Sequence, residues 1–186
     1  MKIGIFGGSF NPPHKVHRQI VETLKKHGYV DKIIIVPTGI HYEYKSNLVD
    51  NRYRLDMLHL LFYDLDYVSI SDYEMKEYPV YTYQTLDYFN KQYPQDDIYF
   101  ICGVDNLSYM NEWKHPEVIK KYPLLVLERG NVSIPSCNFD VTMVSFSRTN
   151  ISSTLVREKV KHKESILSYV PKSIADYILK YQLYKE

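Results

Sequence analysis

The sequence predicts an α/β protein: a single Rossmann-like, doubly wound parallel sheet flanked by helices, spanning residues 1–186. Three observations predict it. Short β-branched runs alternate with longer segments of helical period, which is how strand-helix-strand units read. Four clusters, Gly7-Gly8, Pro37-Thr38-Gly39, Gly103-Val104-Asp105 and Glu128-Arg129-Gly130, each follow the carboxyl end of an expected strand, where open α/β sheets bind ligands. The 186 residues, 45% hydrophobic and 24% charged, have globular proportions, and a chain of that length buries roughly 70% of its unfolded surface without staples.

Strands are expected near residues 2–6, 32–36, 67–71, 98–102, 124–127 and 141–145. Between the first two, Val16, Ile20, Val21 and Leu24 form an apolar stripe at helical spacing that ends at Gly28, a fitting residue just past a helix C-terminus. Similar stripes run through Leu55, Leu58 and Leu61, through Leu86, Phe89 and Tyr93, and through Ile174, Tyr177, Ile178 and Tyr181. Cys102 and Cys137 form no Cys-x-x-Cys pair and read as small buried or incidental residues. The chain opens on a strand-like Lys2-Ile3-Gly4-Ile5-Phe6, with no arginine-rich transit segment, signal core or membrane-length apolar run. A cytoplasmic protein without membrane contact is therefore expected. A net charge of +1 and lysines scattered over helical segments supply no basic track for nucleic acid, even with 19 tyrosines able to stack on bases. Some of those tyrosines are candidates for a contact between copies of the chain.

The chemistry concentrates after the first strand, in Gly7-Gly8-Ser9-Phe10-Asn11-Pro12-Pro13-His14-Lys15-Val16-His17. This is neither a Walker loop nor a dinucleotide fingerprint, because Gly-Lys-Ser/Thr is absent and the glycines are wrongly spaced. Paired glycines let backbone N–H groups approach a phosphate. His14 and His17, three residues apart at a helix N-terminus, point the same way. The helix dipole there favours an anion by about 0.3–1 kcal/mol, and imidazole donors add hydrogen bonds. Metal ligation is the competing use of a His-x-x-His pair, but no carboxylate or cysteine lies at a helpful local spacing. Near the other end, Ile151-Ser152-Ser153-Thr154-Leu155-Val156-Arg157 opens a further helix: Ser152 or Ser153 caps it, the free N–H groups offer anion contacts, and Arg157 is one turn on.

These two segments together resemble the paired signature of the HxGH nucleotidyltransferase superfamily, and the whole chain is similar to bacterial nicotinate-nucleotide adenylyltransferases. Supporting patches are Pro37-Thr38-Gly39 with Lys45, Arg54 and Met57; Tyr81 to Leu86; Gly103 to Leu107 with Trp113; and Val170-Pro171 with Tyr177-Ile178 and Leu183-Tyr184. The resemblance implies an enzyme that joins the AMP part of ATP to nicotinate mononucleotide, releasing pyrophosphate, with Mg2+ held mainly by the ATP phosphates. It implies that His17, His14 and Arg157 are catalytic. ATP would lie on Gly7, Gly8, Ser9, Phe10, Gly103, Asp105, Ser152, Ser153 and Thr154, with residues 151–186 a helical segment completing that site. Thr38, Lys45, Thr82, Thr85 and Trp113 would surround the acceptor, with backbone donors near Thr85 and Trp113 facing its carboxylate.

Three departures from the family pattern stand out. Val16 replaces a glycine between the histidines, where it either crowds the nucleotide or begins the apolar stripe. Asn11 stands where aspartate is commoner. Ile40-His41-Tyr42-Glu43-Tyr44-Lys45 differs from the usual Pro-Pro-His-Lys. Alternatives are transfer to nicotinamide mononucleotide or another phosphorylated acceptor such as phosphopantetheine, and a non-catalytic nucleotide-binding module.

Overall fold

The apolar run from Ile3 to Phe6 lies inside β1 (Lys2–Gly8) of the computed structural model, which describes residues 1–41, 47–128, 137–146 and 149–185. There follow α1 (Lys15–Lys26), β2 (Lys32–Pro37), α2 (Asn51–Phe62), β3 (Val68–Ile70), α3 (Thr82–Gln92), β4 (Asp97–Gly103), α4 (Val104–Leu107), a 3-10 turn (Met110–Glu112), α5 (Pro116–Ile119), β5 (Leu124–Leu127), β6 (Val141–Val144), α6 (Ser153–Lys161) and α7 (Lys172–Lys180). Each expected strand is present. The predicted stripe of α1, Val16, Ile20, Val21 and Leu24, is its buried set. Gly28 closes the helix at φ 69°, a left-handed conformation that costs glycine nothing. Its N–H donates to the Lys25 carbonyl and the Tyr29 N–H to the Leu24 carbonyl, each at 3.1 Å, the paired bonds of a Schellman ending.

All strands pair in parallel, in the order β3-β2-β1-β4-β5-β6. Such a sheet is covered on both faces, so its strands bury alternate residues in two layers. Phe6, Ile33, Ile35, Ile101 and Leu125 pack with the apolar faces of α1, α2, α6 and α7. Ile5, Ile34, Val36, Phe100, Leu124 and Val126 pack on the other side with Leu86 and Phe89 of α3. In α2 the buried set is Arg54, Met57, Leu58, Leu61 and Phe62, one position off the expected Leu55 end of the stripe. The strand order reverses between β1 and β4, and that switch point is where a crevice opens.

Arg54 is 0% exposed and forms no ion pair among the described residues. Its guanidinium instead donates to the carbonyls of Ser9 at 2.9 Å, Thr38 at 2.6 Å and Val49 at 3.1 Å, and to the Asn51 side-chain oxygen. Burial pulls its pKa down to about 10, which still leaves it charged at pH 7. A hydrogen bond to a charged donor contributes about 1.5–3 kcal/mol, and a buried carbonyl left without its partner costs a similar amount. Lysine keeps the charge but cannot reach this set of acceptors with a planar fork. Arg54→Lys is therefore expected to cost about 2–4 kcal/mol, lowering the melting temperature by roughly 4–16 °C in thermal unfolding followed by circular dichroism. A melt indistinguishable from the parent would show that the guanidinium bonds do not hold these loops.

Candidate active site

Two adjoining cavities open at the carboxyl ends of β1 and β4, about 680 Å3 and 570 Å3 in volume. They share Gly7, Gly8, Ser9, Cys102 and Asn106. The larger is lined by the predicted Gly7, Gly8, Ser9, Phe10, His14, His17, Gly103, Asp105, Ser152, Ser153, Thr154 and Arg157. The smaller is lined by Thr38, Thr82, Thr85 and Trp113. Lys45 and Arg129-Gly130 lie outside the described residues.

The histidines are arranged by the start of α1. His14 is the residue before the first turn and His17 lies three further on. Their rings stack, centroids 3.8 Å apart at 25°, and the edge of Phe10 meets His17 with centroids 4.8 Å apart. The His14 backbone N–H donates to Nδ1 of His17 at 3.1 Å. A ring nitrogen that accepts has its lone pair, so this bond selects the tautomer with the proton on Nε2. His17 is thereby held as a donor through Nε2.

The carboxy-terminal segment reaches back onto the same loop. Ser152 caps α6 by accepting from the Leu155 N–H at 3.1 Å, so the cap is Ser152 rather than Ser153. Ser153 uses its hydroxyl otherwise, donating to the Pro12 carbonyl at 2.8 Å. Arg157 donates to the Asn11 carbonyl at 2.7 Å and the Thr154 hydroxyl at 3.1 Å. Those bonds occupy two of its five N–H groups and fix the guanidinium along the wall of the larger cavity. Asn11, 3% exposed, donates to the Asn47 carbonyl at 3.0 Å and accepts from the Val49 N–H and the Tyr184 hydroxyl. Aspartate would lack the first of these bonds.

In the smaller cavity Trp113 leans edge-on to Phe100 with centroids 6.2 Å apart and forms part of the wall. The Thr85 N–H donates to the Tyr81 carbonyl at 3.2 Å and the Trp113 N–H to the Met110 carbonyl at 3.3 Å. These two N–H groups are engaged within their own turns. The cavity also holds two side chains that the residue pattern does not single out, Glu74 and Lys114. Glu74 accepts from the Thr85 hydroxyl at 2.6 Å, and burial raises its carboxyl to about 7 against the smaller, opposing effect of that bond. Lys114 donates to the Tyr81 hydroxyl at 2.6 Å. Gly39 is required here: a Cβ on it would collide with the Glu74 carbonyl oxygen, so the β2 loop and the Glu74 segment touch backbone to backbone. Of the two thiols, Cys102 is buried and its pKa pushed up to about 12, which makes it unreactive.

A model of the cytidylyltransferase-like family matches residues 5–159. A Clostridium tetani protein described as a probable nicotinate-nucleotide adenylyltransferase is 33% identical, over 99% of each chain. One from Caldicellulosiruptor bescii with the same description is 35% identical, over 100% of each. A solved structure of Plasmodium falciparum nicotinic acid mononucleotide adenylyltransferase, complexed with NaAD, shares the fold with a TM-score of 0.84 at 21% identity, covering 98% of this chain and 97% of that one.

Val16 is 7% exposed, packs in the core with Ile20, Val21 and Leu24, and also lines the larger cavity. Its burial is worth about 1.5–2 kcal/mol and glycine in a helix costs up to about 1 kcal/mol more. Val16→Gly is expected to destabilise the protein by about 2–3 kcal/mol in chemical denaturation, while ATP affinity by calorimetry changes less than about threefold. A gain in affinity of tenfold or more would show instead that the side chain crowds the nucleotide.

Proposed function

Because the chain belongs to the cytidylyltransferase-like family and, within it, to the nicotinate-nucleotide adenylyltransferases, we propose that it joins the AMP moiety of ATP to nicotinate mononucleotide, releasing pyrophosphate, a step of NAD biosynthesis. The observation that carries this reading is the pair of cavities, each of nucleotide size, meeting on Gly7, Gly8 and Ser9. An enzyme that joins two nucleotides through their phosphates needs its two sites to touch at one phosphate-binding loop.

ATP lies along the larger cavity, its phosphates on the glycine loop, the α1 N-terminus and the Ser152 to Arg157 segment, which completes the site within a single domain. The acceptor places its ring against Trp113 and its phosphate toward Ser9, with Thr38, Thr82 and Thr85 around it. A phosphate oxygen of the acceptor attacks the α-phosphorus of ATP in line. The new O–P bond forms as the bond from the α-phosphorus to the bridging oxygen breaks, and pyrophosphate departs with the electron pair. A phosphate monoester has its second pKa near 6, so the nucleophile is already ionised at pH 7. The protein's part is then alignment and stabilisation of charge. His17, through Nε2–H, meets the transferring phosphate, His14 lies beside it, and Arg157 meets the departing pyrophosphate.

Magnesium fits as an ion that arrives on ATP. It takes most of its ligands from phosphate and water, and among the described residues no three His, Cys, Asp or Glu side chains gather as a metal site. Asp105 and Glu128, carboxylates lining the larger cavity, would hold its waters, and the ion would supply positive charge against the phosphates. The cytoplasm, where this reading supplies both substrates, is the setting we assign. Among the described residues no helix is long and apolar enough to cross a membrane.

The decisive assay measures pyrophosphate release from magnesium-ATP with nicotinate mononucleotide, nicotinamide mononucleotide or phosphopantetheine offered separately. Release is expected with the first, and absence of release with every acceptor would overturn the reading in favour of a nucleotide-binding module. Losing one well-aimed donor costs about 2.7–4 kcal/mol of transition-state stabilisation. His17→Ala is accordingly expected to cut turnover by a hundredfold or more with an unchanged circular-dichroism spectrum; a fall below about tenfold would remove its assigned role.

A further inference from the structure

The residues that follow α7 hold a backbone shape that their side chains do not favour, and the proposed transfer gives them no part. Gln182 and Tyr184 take φ values of 54° and 63°, in the left-handed region where a side chain crowds the following carbonyl. Such backbone persists only where its surroundings hold it. Two contacts do so here. Leu183, 7% exposed, packs in the core with Ile174 and Ile178, and its N–H donates to the Ile178 carbonyl at 3.0 Å. The half-buried Tyr184 then turns its phenol to the loop after β1 and donates to the Asn11 side-chain oxygen at 3.0 Å.

Asn11 is where two groups from the far end of the chain meet. Its side-chain oxygen accepts from the Tyr184 hydroxyl, and its main-chain oxygen accepts from Nη1 of Arg157 at 2.7 Å. Asn11 and Arg157 line the larger cavity, whereas Tyr184 lines neither. The Asn11 side chain also accepts from the Val49 N–H at 3.2 Å and donates to the Asn47 carbonyl at 3.0 Å, so the phenol is its third bond and not its sole anchor. Resting on the reading above, we propose that Tyr184 is a positioning residue for the transfer: its hydroxyl, acting through Asn11, sets the place of the Arg157 guanidinium against the departing pyrophosphate. A shift of Asn11 moves an acceptor that orients Arg157. Misplacing an aligned group by about 1 Å costs up to about a hundredfold in rate, and loss of one bond of three displaces Asn11 by less. The acceptor cavity is lined by neither Asn11 nor Arg157, so the effect falls on the ATP side of the reaction.

The test is a double-mutant cycle on the intact protein, read as the rate of pyrophosphate release at saturating magnesium-ATP and nicotinate mononucleotide, with enzyme in excess so that slow variants stay measurable. Tyr184→Phe keeps the ring and its packing and removes only the hydroxyl. It is expected to slow release by roughly three- to tenfold, the worth of one hydrogen bond, while KM for nicotinate mononucleotide stays within about twofold of the parent. In an Arg157→Ala background the same change is expected to alter the rate by less than about twofold, because the group it positions is gone. A merely structural hydroxyl would lower the melting temperature and leave these rates alone. A fall smaller than about threefold in the parent, a factor of about twofold or more in the Arg157→Ala background, or a rise in the acceptor KM beyond about twofold would overturn the proposal. Absence of pyrophosphate release from the parent itself would instead overturn the functional reading on which it rests.

Discussion

The buried guanidinium of Arg54 is the constraint on which the site depends. Three segments meet on it: the glycine loop after β1, the end of β2, whose Thr38 N–H pairs with the Gly8 carbonyl at 2.9 Å, and the chain entering α2. A hydrophobic side chain would fill the same buried volume, but it would leave the carbonyls of Ser9, Thr38 and Val49 without these donors. A carboxylate partner would neutralise the charge and withdraw those donors from the carbonyls. The arrangement observed spends a charge to hold loops, and the energy it contributes is local to the floor shared by the two cavities.

The sheet supplies the rest of the geometry. In a 3-2-1-4-5-6 order the connections from β1 leave on one side and those from β4 on the other, and the gap between them cannot be filled by either set of helices. The elements that line the two cavities meet at that gap. α1 brings His14 and His17, Gly103 to Asn106 forms the opposite lip, and α6 arrives from the far end of the chain. What the topology leaves loose, side chains tighten: Ser153 and Arg157 bond to Pro12 and Asn11, and Tyr184 bonds to the Asn11 side chain. The phosphate loop is thus tied from three directions, by Arg54 from below, by α6 from the side, and by the last residues of the chain.

Much of this was legible in the residues. Six apolar runs bounded by turn residues could form little besides strands, and parallel pairing followed from the helical stripes between them. The Gly7-Gly8 to His17 segment declared itself because glycines, prolines and paired histidines at a strand end have few other uses. Glu74 was not legible. It lies in an irregular stretch between β3 and α3, and nothing in Ser71-Asp72-Tyr73-Glu74-Met75 distinguishes it from a solvated acid until the fold brings Thr85 and Gly39 against it. The role of Arg54 was hidden for a related reason. Its acceptors are mostly backbone carbonyls, which no residue pattern records. In α2 the stripe looked purely aliphatic because arginine is not expected to begin a buried face.

Asn11 shows how a departure from the family pattern is absorbed. Its carboxamide uses both ends, donating to the Asn47 carbonyl and accepting from the Val49 N–H and the Tyr184 hydroxyl. An aspartate in the same pose would face the Asn47 carbonyl oxygen with a second acceptor, and it would bring a negative charge next to the cavity assigned to the triphosphate. The tyrosine that completes the set has its phenol pKa pushed up by burial, an effect opposed by the nearby Arg157 and Arg54. It is therefore a neutral hydroxyl donor across the physiological range. A neutral amide answered by a neutral phenol holds the loop without adding negative charge beside the cavity proposed to take the triphosphate.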